Sequence, residues 1–118
     1  MSYGAGDIVL LEFPQASGQL LKLRPALVLA TLPGPYQTLL LCGISTQLQM
    51  LVHEWDEVLA STQAWFPATG LRRDSVLRLS FLSTVADSAI AGRIGSVPGE
   101  LLTRQRARLG ALLSASPR

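Results

Sequence analysis

The apolar runs in this chain are short, and proline or glycine stops most of them. Residues 7–13 are rich in Ile, Val, Leu and Phe and end at Pro14; residues 26–31 follow Arg24-Pro25; residues 37–44 follow the turn Leu32-Pro33-Gly34-Pro35. A proline lacks the N–H that a helix interior or a sheet ladder needs, so runs punctuated in this way read as β-strands. Pro25 is expected at the first residue of its strand, where the missing donor is tolerated, and residues 15–23 as a loop between two antiparallel strands. Residues 51–55 are expected to be extended. Residues 57–65 hold helix formers without a clear cap and are expected as a loop or one helical turn. Alternation returns at residues 75–80 and continues extended through 85, and residues 89–95 read as a last short strand.

Residues 98–113 have a different rhythm. Leu101, Leu102, Leu109, Leu112 and Leu113 recur with Arg104, Arg106 and Arg108 between them, which suits an amphipathic helix with Ser96 as its candidate N-cap. Strands in succession followed by one helix predict an α+β fold that is mainly β, a small antiparallel barrel, with residues 1–118 as a single domain.

With 48% apolar and 15% charged residues in 118 and a mean hydropathy of +0.33, much apolar surface must be hidden, and a homodimer is expected to bury part of it. No apolar stretch approaches the roughly 20 residues that a membrane-spanning helix requires, and the N-terminus lacks the basic-then-apolar pattern of a secretory signal. No membrane association is expected, and the expected location is cytoplasmic. Cys42 is the one cysteine, and its setting in Leu-Leu-Leu-Cys-Gly reads as a buried small hydrophobe. The formal charge is only +2, yet eight of the ten Lys and Arg lie at or beyond Arg72. Such a field can attract a nucleic acid or an acidic protein, and it can equally be a solvated face.

One His and one Cys leave only a carboxylate-based metal site. His53, Glu54, Asp56 and Glu57 read more simply as solvated groups at a loop mouth, so no metal and no cofactor are expected. Gly4, Gly6, Gly18 and Gly34 fit neither a dinucleotide nor a P-loop spacing, and no serine has a nucleophile elbow around it. What remains is Arg24 beside a proline and the polar run Ser45-Thr46-Gln47 at a strand end. Both residue types can meet negative charge on an oxyanion. A guanidinium can answer that charge with two parallel hydrogen bonds without losing its own, and a hydroxyl can add another donor.

The segments Gly6-Asp7-Ile8-Val9, Lys22-Leu23-Arg24-Pro25-Ala26-Leu27-Val28-Leu29 and Ile44-Ser45-Thr46-Gln47 resemble, in order and spacing, the opening half of MazF/PemK toxins. The likeness continues more weakly through Asp74-Ser75-Val76-Leu77-Arg78-Leu79, Thr84-Val85 and Arg93-Ile94-Gly95 to the last helix. The resemblance implies a dimeric SH3-like barrel that acts as an endoribonuclease on single-stranded RNA. Such enzymes cut without metal, by attack of the ribose 2′-hydroxyl, and are held inactive by a cognate antitoxin whose acidic segment covers the groove. It places catalysis on Arg24 and Ser45 and matches Arg78 to a basic position; Lys22, Thr46, Gln47 and Arg78 are expected to contact the substrate, and Gln19, in the first loop, to contact a base. Some relatives carry an acidic residue two positions after the one matching Arg78, where this chain has Ser80. Trp55, Trp65, Phe66 and Phe81 are candidates to stack on unpaired bases, or else core residues. Two rival readings stay open: a non-catalytic SH3-like binding module, and a CcdB-like toxin that binds gyrase.

Overall fold

The computed structural model describes residues 3–14 and 21–117. Among them, six strands form one sheet: β1 (Asp7–Pro14), β2 (Leu21–Thr31), β3 (Thr38–Ser45), β4 (Glu57–Leu59), β5 (Ser75–Ala86) and β6 (Ile90–Ser96). Their order is β4-β5-β3-β2-β1-β6, every pairing is antiparallel, and helix α1 (Gly99–Ser114) follows. This is the expected mainly-β architecture with a C-terminal helix.

β5 and β6 stand four strand spacings apart in that order, about 19 Å in a flat sheet. Yet only Asp87, Ser88 and Ala89 separate them in the chain, and four peptide steps reach about 14 Å at full extension. The sheet must therefore curl until the end of β5 meets the start of β6. Register shifts in β2, in β5 between the residues facing Cys42 and Gly43, and in the β1–β6 ladder add the local twist that curling needs. The outer strands β4 and β6 share no ladder, so the barrel-like form stays open along one seam.

Because side chains alternate along a strand, the central strands bury both of their faces. On one face Ile8, Leu27, Cys42 and Leu77 pack beneath Leu101 and Leu109 of α1. On the other, Val9, Val28, Leu39 and Leu41 meet Ile90, carried round by the curl. A fully buried leucine of this kind is worth about 1.5–3 kcal/mol. Helix α1 is also tied to β4: the Glu57 carboxylate accepts from Arg104 Nη2 at 2.7 Å, Gln105 Nε2 at 2.6 Å and Arg108 Nη1 at 3.1 Å. Burial alone would raise the Glu57 pKa, but these hydrogen bonds and the two guanidinium charges outweigh it and hold the group below its ordinary value.

Several local expectations are corrected. β2 begins at Leu21, so residues 21–23 are strand, and Pro25 lies inside it, opposite Leu10. The β3 ladder joins only from Ala26, so Pro25 sits in a two-stranded ribbon with one side bare, where its missing N–H leaves no gap in a central ladder. Residues 51–55 are a turn: Asp56 Oδ2 accepts from Val52 N–H at 2.9 Å and folds the segment back. The short β4 opens the segment 57–65, which goes on in turns to a 3-10 turn at Phe66–Thr69. Pro98, not Ser96, occupies the N-cap, with no side-chain cap; the Leu101 and Leu102 N–H groups donate to the Pro98 carbonyl instead. The buried stripe of α1 is Leu101, Gln105 and Leu109, spaced by four, and it leaves Leu112 and Leu113 exposed.

Candidate functional site

A cleft of about 620 Å³ opens where β2 begins, β3 ends and the chain enters β5. Lys22 and Arg24 reach it from β2, Ser45 and Thr46 from the end of β3, and Arg72 and Arg73 from the turn before β5; Leu10, Leu71 and Ile94 give it an apolar floor. Among the described residues its lining holds no carboxylate and no aromatic ring.

Each wall has a local cause. The two-stranded ribbon of β1 and β2 carries Arg24 opposite Leu11, beyond the end of the β3 ladder, so its side chain is exposed. At the end of β3 the Ser45 hydroxyl accepts from Gln47 N–H at 3.0 Å, a side-chain turn that directs the chain out of the sheet. That bond uses an oxygen lone pair and leaves the hydroxyl hydrogen free to donate. The third wall depends on the turn at Phe66–Thr69. Gly70 follows it with a left-handed φ of +74°, and a Cβ there would run into the Ile94 carbonyl, as one on Gly95 would into Ala68 and Thr69.

Electrostatics separates the cleft from the rest of the basic residues. Arg78 lies 3.8 Å from Asp56, Arg93 2.8 Å from Asp7, and Arg104 and Arg108 pair with Glu57. Among the described residues, no ion pair involves Lys22, Arg24, Arg72 or Arg73. Half of the arginines at or beyond Arg72 are thus paired with carboxylates, and four cations without an ion pair among the described residues line one cleft.

The structure brings Arg24, Ser45, Lys22 and Thr46 together. It does not bring Arg78 or Gln47 into the cleft lining: Arg78 is engaged with Asp56 and Met50 Sδ, and the Gln47 carboxamide accepts from Gln49 Nε2 at 2.7 Å. Gln19 lies outside the described residues. Trp55 and Trp65 pack against the core and Phe66 is within it, while Phe81 is 48% exposed and folds over Gly43. Among the described residues no three of His, Cys, Asp and Glu gather into a group able to hold a metal ion. Asp56 is buried and satisfies Val52 and Leu79 N–H groups, so the acidic cluster around His53 is not a solvated loop mouth throughout. No helix is long and apolar enough to cross a membrane. Sequence reasoning missed Arg72 and Arg73; the available signal was an arginine pair flanked by a glycine able to take positive φ.

A curled antiparallel sheet with a cationic, hydroxyl-bearing cleft at its mouth defines a small β-rich module. The model of the PemK-like, MazF-like toxins of type II toxin–antitoxin systems matches residues 5–113, and the chain belongs to that family. Among solved structures it is similar to the MazE-MazF complex of Deinococcus radiodurans in two crystal forms, at 22% and 21% identity with TM-scores of 0.66 and 0.68. MazF alone from the same organism gives 24% identity and a TM-score of 0.64. Each match covers 98% of this chain and 99–100% of the other. Among curated proteins none matches in sequence.

Proposed function

We propose that this toxin-family chain is an endoribonuclease that cuts single-stranded RNA without a metal ion. It acts in the cytoplasm as a homodimer and is restrained by a cognate antitoxin. The observation that carries the reading is the convergence of Arg24 and Ser45 on one cleft whose lining, among the described residues, is cationic and free of carboxylates. In the reaction the ribose 2′-oxygen forms a bond to phosphorus as it gives up its proton. The bond from phosphorus to the 5′-oxygen breaks, and that oxygen takes up a proton. A 2′,3′-cyclic phosphate and a 5′-hydroxyl result, with no redox change. Arg24 stabilises the charge growing on the non-bridging oxygens, and the free hydrogen of Ser45 supplies a second donor.

The test is incubation of the purified protein with a long, unstructured RNA in EDTA, beside Arg24→Ala and Ser45→Ala, with the fragment ends sequenced. Cuts at a repeated short motif that end in 5′-hydroxyls and disappear in both variants support the reading. A folded protein that cuts no RNA overturns it. Ser80, exposed on the irregular stretch of β5 where some relatives carry an acid, favours the second reading, a binding module without cleavage; binding without cutting is its signature.

A further inference from the structure

The turn that brings Arg72 and Arg73 to the cleft is fixed by more bonds than a surface loop requires. Thr69 Oγ1 donates to the Phe66 carbonyl at 2.6 Å and accepts from Leu71 N–H at 3.1 Å, while Ser75 Oγ donates to the Arg73 carbonyl at 2.9 Å. The neighbouring carboxylate is turned away: Asp74 Oδ1 accepts from Ser61 N–H at 2.7 Å, and hydrogen bonding from Ser61 favours its ionised form. Two exposed guanidinium groups are thereby held at the cleft with no ion pair among the described residues. They stand on a backbone already tied by these hydrogen bonds, and such preorganisation lowers the ordering cost of binding.

We propose that Arg72 and Arg73 hold the phosphates that flank the scissile bond and read the RNA backbone, not its bases. The inference rests on the nuclease reading and adds to it a binding site on a separate wall from Arg24 and Ser45. The chemistry follows from the residue type and the surroundings. Planar guanidinium groups match phosphate oxygens in pairs, and among the described lining residues no aromatic ring offers unpaired bases a stacking platform. Contacts of this kind raise affinity through counterion release and carry no sequence information.

The experiment measures binding of a single-stranded DNA oligonucleotide, which lacks the attacking 2′-hydroxyl, across a series of salt concentrations, together with the RNA cleavage pattern. For a single strand each phosphate contact contributes about 0.7 to the slope of log K against log salt. Arg72→Ala/Arg73→Ala is expected to lower that slope by about 1.4, raise KM with little change in kcat, and leave the cut motif unchanged. Arg72→Lys/Arg73→Lys, which keeps both charges, should retain the slope, and Arg106→Ala on the outer side of α1 should not alter it. A wild-type slope in the alanine variant, a changed cut motif, or an equal loss in Arg106→Ala overturns the proposal while leaving cleavage by Arg24 and Ser45 intact. Absence of both binding and cleavage in the wild type overturns the nuclease reading and this one with it.

Discussion

In the proposed cleavage Arg24 and Ser45 act through donors that differ in kind, and their replacements should fail differently. Arg24→Ala removes the charge and is expected to lower kcat by about 10²-fold or more, the usual cost of losing a donor to a developing oxyanion. Ser45→Thr keeps the hydroxyl and should stay within a few-fold of wild type, whereas Ser45→Ala should not; single-turnover cleavage separates the three. Cys42 makes the opposite case. Burial, and secondarily the charge of Asp56, pushes its thiol up to about 12, so the reactive thiolate is scarce at neutral pH. A thiol-alkylating reagent is expected to label it only as fast as the protein unfolds, which mass spectrometry across a denaturant series would check.

At the scale of elements, the attachment of α1 to β4 depends on an ionised Glu57. Its folded pKa lies below the ordinary 4.5, so its contribution is complete above that value and is lost as pH falls through the lower folded one. Glu57→Gln should therefore melt below wild type at neutral pH, by about 1 kcal/mol or less for so exposed a pair, and the gap should close in acid. Gly70→Ala meets both a left-handed φ and the Ile94 backbone. A loss of about 1–3 kcal/mol is expected, with a weakened RNA affinity because Arg72 and Arg73 move. The strands and the helix were legible from local signals: proline punctuation at Pro14 and Pro33, alternation at residues 75–80, and leucine spacing near the C-terminus. What was not legible depends on partners distant in the chain. Residues 51–55 look extended until Asp56 is seen accepting from Val52 and Leu79 N–H groups. Arg24 and Ser45 stood out through the family pattern. Arg72 and Arg73 gave no comparable cue, because their place at the cleft follows from how the turn at Phe66–Thr69 packs on β6.

For the molecule as a whole, the two apolar clusters share the same three strands, so neither can melt alone. Leu27→Ala and Leu41→Ala, one from each cluster, are each expected to cost about 2–5 kcal/mol and to lower one common transition seen by both tryptophan fluorescence and far-UV circular dichroism. The open seam of the sheet has its own consequence. An outer strand normally offers a row of unused N–H and C=O groups to any extended chain nearby. Here one outer strand, β4, is only three residues long and is clasped by the arginines of α1. The other, β6, has the turn at Phe66–Thr69 pressed against Gly95. On the β4 side a visiting strand therefore finds little backbone to zip onto, and on the β6 side it meets the turn at the Gly95 end of the strand.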